Sequence, residues 1–273
     1  MPAAEGKAEA VTPTGEGAEE ALELTTRAGA MGVRVQPFGY NLFRRAPSTF
    51  APVKTVPVGP DYVIGPGDTV RIVLWGSIQA DYAPTVDRNG QIALPKVGVV
   101  QVSSLTFKQL REVLDREFSR QYTNFQMNIT LDNLRTIQIY AVGWARSPGS
   151  YTISSLSTLV SALFDCGGPS LQGSMRDIQV RRGGRVILHF DLYDFLKKGD
   201  KSKDIRLLPE DVIYFPLARE RVAIGGPVKS PAIYELKGER TLMDLINLAG
   251  GLAPVAFKGR VQMLRIRDRK SVV

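Results

Sequence analysis

His189, Cys166 and the acid-rich run from Asp194 to Asp211 are the residues whose types could support chemistry, and their spacing decides whether they do. The 273 residues hold one histidine and one cysteine, so there is no Cys/His set for a zinc centre and no internal disulfide. His189 lies in Val186-Ile-Leu-His-Phe-Asp-Leu192, where alternation reads as a strand, and no nucleophile motif accompanies it. It reads as a structural or surface histidine. Cys166 sits at a helix end before Gly167 and Gly168, where the dipole disfavours a thiolate, and it reads as a small buried residue. Asp194, Asp200, Asp204, Glu210 and Asp211 are interleaved with Lys197, Lys198, Lys201 and Lys203, a mixture that reads as a solvated loop and not a calcium site. Neither GxGxxG after a strand nor GxxxxGK[ST] occurs, which removes the common phosphate loops. A glycan hydrolase needs two carboxylates about 5 to 9.5 Å apart, and no pair suggests itself. Catalytic, cofactor and metal residues are therefore all assigned as none.

The net charge is +8, with residues 1–30 at −4 and the remainder at +12. The stretch Lys258, Arg260, Arg265, Arg267, Asp268, Arg269, Lys270 supplies +5 and suits an acidic polymer or partner surface. Gly259 to Val273 lacks the aromatics that stack bases, so nucleic acid is not expected as a partner. The apolar run Leu156 to Cys166 is too short to cross a bilayer.

The elements that position these residues form an α+β chain. Residues 1–32 are low in aromatics and read as a disordered tail; residues 33–60 carry five prolines among Phe38, Tyr40, Phe43 and Phe50 and read as an extended arm docking on the chain's own body. From Tyr62, the turn Gly65-Pro66-Gly67-Asp68, with both glycines free to take positive φ, feeds a strand ending at Trp75. Asp87-Arg-Asn89-Gly90 is a hairpin signal, with Ala83–Val86 and Gln91–Leu94 as its strands. Thr106-x-x-Gln109 is a capping box ahead of Phe107, Leu110, Val113, Leu114 and Phe118 on one helical face; Met127–Leu131 alternates as a strand.

An ungapped repeat at an offset of 83 residues follows. Gly143, Ser147, Pro148, Tyr151, Thr158, Leu159, Gly167 and Gly168 recur as Gly226, Ser230, Pro231, Tyr234, Thr241, Leu242, Gly250 and Gly251, with Ala249 in the place of Cys166. Each copy predicts a strand (Ile137–Val142; Arg221–Ile224), a Ser-Pro turn, a short strand at the tyrosine and a helix closed by Gly-Gly. Copy one continues with strands at Ile178–Arg182, Val186–Leu192 and Pro209–Phe215. Copy two is expected to be incomplete.

The stretch Asp61-Tyr-Val-Ile-Gly-Pro-Gly-Asp-Thr-Val70, Trp75, the Asp87-to-Pro95 hairpin and the helix after Leu105 resemble the polysaccharide biosynthesis/export domain of bacterial outer-membrane polysaccharide export proteins. The copies with Ser-Pro-Gly-x-Tyr or Ser-Pro-Ala-x-Tyr and terminal Gly-Gly resemble the soluble-ligand-binding β-grasp (SLBB) modules of that family, and Leu42-Phe to Ala51-Pro52 resembles its lead-in. The implied organisation is an export domain at 61–134, a first SLBB module at 135–217 and a partial second one at 218–273.

The resemblance implies the periplasmic body of an outer-membrane translocon. Such proteins are similar to homo-oligomeric rings that pass a polysaccharide, an acidic one being favoured here by the excess positive charge, and work with an inner-membrane copolymerase. No covalent chemistry on the glycan is implied. Gly65, Pro66, Gly67, Asp68, Trp75, Asn89 and Gly90, with the repeated glycines, prolines and tyrosines, are expected to be structural; glycan-binding residues are not assigned. A lipidated cysteine and an amphipathic C-terminal helix are expected in segments outside this sequence. The competing reading is a soluble glycan- or partner-binding protein that forms no conduit.

Overall fold

The computed structural model describes residues 35–43, 58–256 and 262–263. The chain is α+β, built on two hydrophobic cores.

The first core belongs to the export domain. Strand β1 (Thr69–Gly76) lies between β2 (Ala80–Tyr82) and β5 (Phe125–Asn133), both antiparallel to it. Alternation along β1 turns Val70, Ile72 and Leu74 inward, where they meet Leu110, Leu114 and Phe118 of helix α1 (Phe107–Ser119). The helix starts where the sequence sets it: Thr106 Oγ1 accepts from Gln109 N and Gln109 Oε1 accepts from Thr106 N.

The hairpin expected at Asp87–Gly90 has a different partner. The turn forms, with Gly90 at φ +79° and Asp87 N donating to Gln91 O. Yet β3 (Gln91–Leu94) pairs with β4 (Gly98–Gln101), not with Ala83–Val86. The latter run is committed elsewhere: Val86 N donates to Asp68 O, Gly67 N to Val86 O and Val70 N to Pro84 O. Pro84 has no N–H to give to a ladder.

The second core holds the repeat. Its five-stranded sheet runs β7 (Gly149–Ser154), β6 (Thr136–Gly143), β10 (Val212–Phe215), β8 (Ile178–Arg182), β9 (Arg185–Phe190), with β10 parallel to β6. Helix α2 (Leu159–Asp165) packs its Leu159, Ala162 and Leu163 on one face. The strand expected to run to Leu192 ends at Phe190. Asp191 Oδ1 accepts from Tyr193 N and starts helix α3 (Leu192–Lys198), which Gly199 closes at φ +68°. The acid-rich run is also less solvated than expected. Asp194 and Lys198 do form an exposed pair, but Asp204 accepts from Val160 N at the start of α2, and Asp211 is fully buried against Arg182 at 2.7 Å.

The second copy has β11 (Arg221–Ile224) antiparallel to β12 (Ala232–Glu235), then helix α4 (Leu242–Leu248). The repeat extends to individual bonds. Tyr151 OH donates to Ser147 O (2.5 Å) as Tyr234 OH does to Ser230 O (2.7 Å). Arg146 N donates to Gly168 O as Lys229 N does to Gly251 O; Ser170 N donates to Trp144 O as Ala253 N does to Pro227 O. Both Gly-Gly pairs have positive φ, the conformation a helix C-terminus needs there.

The arm docks on its own chain over residues 35–43. Pro37 bridges to Ile233, Phe38 N donates to Ile233 O, and the Phe38 ring stacks on Tyr234 at 5.0 Å. Tyr40–Phe43 curl into a 3₁₀ turn instead of staying extended, and Phe43 packs on Phe164 at 5.5 Å. Pro47, Phe50, Pro52 and Pro57 lie outside the described residues, as does the basic stretch from 258 onward apart from 262 and 263.

The two copies separate at Gly143 and Gly226, both near φ +80°. A Cβ on Gly143 overlaps the Phe215 carbonyl of β10, whereas one on Gly226 meets nothing within 4 Å. Gly143→Ala is expected to combine left-handed strain with overpacking, about 2 to 4 kcal/mol, and Gly226→Ala to cost strain alone, about 1 kcal/mol. Urea titration of the two variants checks this difference.

Candidate functional site

The signature residues do not converge on one cleft. They sort into a joint between the export domain and the first repeat copy, the corners of the two copies, and an exposed sheet face.

The joint is centred on Asp68, which is fully buried. Its carboxylate accepts from Gly65 N (2.9 Å), Tyr62 OH (2.8 Å), Arg135 N (2.9 Å) and the Arg135 guanidinium (2.7 Å). Tyr62 OH also lies 3.0 Å from Ser155 Oγ, so the network spans the turn before β1, the loop from β5 into β6 and the loop after β7. Gly67 takes positive φ at +95°, as the turn requires. Gly65 does not; its need is for space, since a Cβ there comes within 2.5 Å of the Arg135 guanidinium. Pro66 fixes the backbone between them. Burial pushes the Tyr62 hydroxyl up to about 12, with Asp68 adding to the rise, so Tyr62 stays a proton donor.

The corners explain the other glycines. Gly90 O accepts from both Val102 N and Ser103 N, tying the Asn89-Gly90 turn to the end of β4. Gly168 lies under the Phe43 ring, which leaves no room for a Cβ. Pro148 and Pro231 sit in the turns that Tyr151 and Tyr234 close. Tyr234 is fully buried under the arm. Trp75 is different: 43% exposed at the end of β1, its Nε1–H donates to Gln126 Oε1 (2.9 Å).

Glu235 is another buried carboxylate, and the sequence reading did not mark it. It accepts from Ser174 Oγ (2.6 Å), Met175 N (2.8 Å) and Arg219 N (3.2 Å), locking the second copy onto the first. Beside it, Arg176 bonds Asp191 (3.3 Å) and Glu239 (2.8 Å), and Lys237 reaches Asp191 (3.2 Å). The signal was available: the residue 83 positions earlier is Thr152, so Glu235 departs from the repeat where a strand is buried. Arg135 carried no comparable signal, because its partner lies 67 residues away.

The residues considered for chemistry stand apart. His189 is largely exposed, with Nδ1 2.6 Å from Asp177. Cys166 is buried, and burial pushes its thiol up to about 11, which keeps it protonated at neutral pH. Among the described residues no group of three or more His, Cys, Asp or Glu is placed to hold a metal, and no helix is long and apolar enough to cross a membrane.

Comparison with known proteins fits this division. The polysaccharide biosynthesis/export protein family matches residues 56–132, and the SLBB domain family matches residues 139–190 and 221–273. The chain is 36% identical over 147 residues to the polysialic acid transport protein KpsD of Escherichia coli, covering 53% of this chain and 26% of that protein. It is 28% identical over 226 residues to the EPS I polysaccharide export outer membrane protein EpsA of Ralstonia solanacearum, covering 73% of this chain and 60% of that protein. The chain thus spans about a quarter of KpsD and three-fifths of EpsA.

Removing Asp68 strands a partly buried guanidinium and several donors. Asp68→Ala is expected to cost about 3 to 5 kcal/mol, and Tyr62→Phe, which loses one hydroxyl, about 1 to 2 kcal/mol. Urea unfolding of both variants measures these costs. For Glu239, desolvation raises the carboxyl, but the Lys237 amide, the Arg176 guanidinium and the Gly238 amide outweigh it and hold it at about 2, below the ordinary 4.5. A depressed carboxyl contributes stability above the unfolded pKa and loses it as pH falls through the folded one. Glu239→Gln is therefore expected to flatten stability between about pH 4.5 and pH 2, measured by thermal melts across that range.

Proposed function

We propose, for a chain that belongs to the polysaccharide biosynthesis/export proteins by its export domain and paired SLBB domains, that it forms the periplasmic body of an outer-membrane translocon subunit. In this reading, copies of the full-length protein close into a ring, a capsular or extracellular polysaccharide passes along its lumen, and an inner-membrane copolymerase delivers the polymer. The working surface lies on the periplasmic side of the outer membrane. No bond of the glycan is made or broken.

The observation that carries the reading is the order export domain, SLBB, SLBB, in a chain that is similar over part of its length to relatives named for polysialic acid transport and for polysaccharide export. Physical features support it. A conduit wall must keep its shape while polymer slides past, and the buried carboxylates Asp68 and Glu235 cross-brace consecutive domains. The wall must also be wet and weakly binding. On the open face of the export-domain sheet Asn128 and Thr130 lie beside the Arg71–Asp81 and Trp75–Gln126 pairs, a polar surface whose hydrogen bonds a polymer exchanges readily for those of water. The excess of positive charge favours an anionic chain.

Deletion of the gene tests the reading. Polysaccharide is expected to vanish from the cell surface and accumulate inside, with recovery on complementation by the full-length gene. Unchanged surface polymer, in a genome with no second copy, contradicts it.

A further inference from the structure

The sheet of the first SLBB domain has two faces of opposite character. One carries Ile137, Ile139, Val180 and Ile213, all buried against α2. On the other, the register sets Val212 between Tyr140 and Arg181, and Tyr214 between Val142 and Gln179. None of these outward residues is fully buried.

Arg181 is held there without an ion pair, as Arg221 is by Tyr40 and the Leu171 carbonyl. Arg71, Arg135, Arg176 and Arg182 each meet a carboxylate within ion-pair distance. Arg181 is instead fixed by neutral groups: Nε and Nη2 donate to Gln179 Oε1 at 3.3 and 2.9 Å, and its guanidinium carbon stands 4.1 Å from the centroid of the Tyr214 ring. Among the described residues no carboxylate lies within ion-pair distance of it. Asp177, at the head of β8, is engaged by Gln179 Nε2 (3.3 Å) and His189 Nδ1 (2.6 Å). The result is a planar cation, oriented in advance, whose charge the protein has not neutralised. A guanidinium held this way loses little freedom when it takes a carboxylate.

We propose that this face binds the carboxylated sugars of an acidic glycan, with Arg181 taking the carboxylate and the Tyr140 and Tyr214 side flanking the sugar rings. The proposal rests on the conduit reading for the identity of its ligand class. Tyr140 lies two strands from Arg181, about 10 Å across the sheet, which leaves room for a sugar unit between them. One unneutralised arginine on an open face suits a site that must let go: it selects for charge without enclosing the polymer.

The test is a titration of the purified protein, followed by calorimetry and amide NMR, with oligomers of sialic acid, oligomers of galacturonic acid, and maltooligosaccharides of equal length. An acidic oligomer is expected to bind, to weaken as salt rises, and to shift amides centred on Gln179, Arg181 and Tyr214. Arg181→Gln is expected to lower that affinity about tenfold or more, with an unchanged melting temperature; Arg181→Lys is expected to fall between the two. Unaltered affinity in Arg181→Gln, shifts centred elsewhere, or no binding of either acidic oligomer overturns the proposal. So does an Arg181→Gln variant that changes sedimentation and leaves glycan binding intact, which would make the face a contact between copies. These results leave the export reading to the deletion strain. Conversely, intact export in that strain alongside Arg181-dependent binding removes the conduit and keeps the site.

Discussion

The buried carboxylate of Asp68 is the constraint around which the domain joint is arranged. A fully buried carboxylate without partners costs several kcal/mol, so each neighbour of Asp68 is there to offset that cost. Gly65 supplies an amide and the space through which Arg135 passes; Tyr62 supplies a hydroxyl kept protonated by its own burial. Because Arg135 lies between the export domain and β6, and Tyr62 also reaches Ser155, satisfying one charge fixes two domains together. The Gly-Pro-Gly-Asp turn is thus a coupling device as much as a turn.

The second copy solves the same problem with other residues. The repeat supplies corners with matched tyrosine and glycine bonds, but identical copies would have no reason to hold each other. Glu235, in the place of Thr152, gives the second copy a carboxylate that Ser174, Met175 and Arg219 satisfy. The arm adds a backbone pairing along β12 and a stacked ring on Tyr234. Divergence within the repeat, more than its conservation of corners, builds a rigid multidomain body.

Much of this was legible in the sequence, and the divisions follow from the range of each interaction. The capping box at Thr106, the Gly-Gly helix ends and the Asn89-Gly90 turn are local, so residue types a few positions apart determine them. Asn-Gly reports a turn but not which strand pairs beyond it, and β3 turned to β4 because Ala83–Val86 is occupied by Asp68 and Gly67. Helix α3 was hidden because His189-Phe-Asp-Leu192 alternates like a strand, whereas the Asp191 side chain caps a helix there. Asp204 does pair with Lys201, but it and Asp211 read as solvated among lysines because the Val160 amide and Arg182, which also engage them, are distant in sequence. Arg181 was illegible for the same reason: Tyr214, the ring it lies over, is 33 residues away, and that no carboxylate among the described residues pairs with it is a matter of the fold.

In the proposed function these braced domains are the wall of a conduit. Electron cryomicroscopy of the full-length protein extracted from outer membranes tests it most directly. Closed rings are expected, with an axial lumen lined by the open sheet faces that carry Arg71, Trp75 and Gln126 in one tier and Arg181 and Tyr214 in the next. Monomers, or rings in which those faces are buried between copies or turned to the outside, would contradict it.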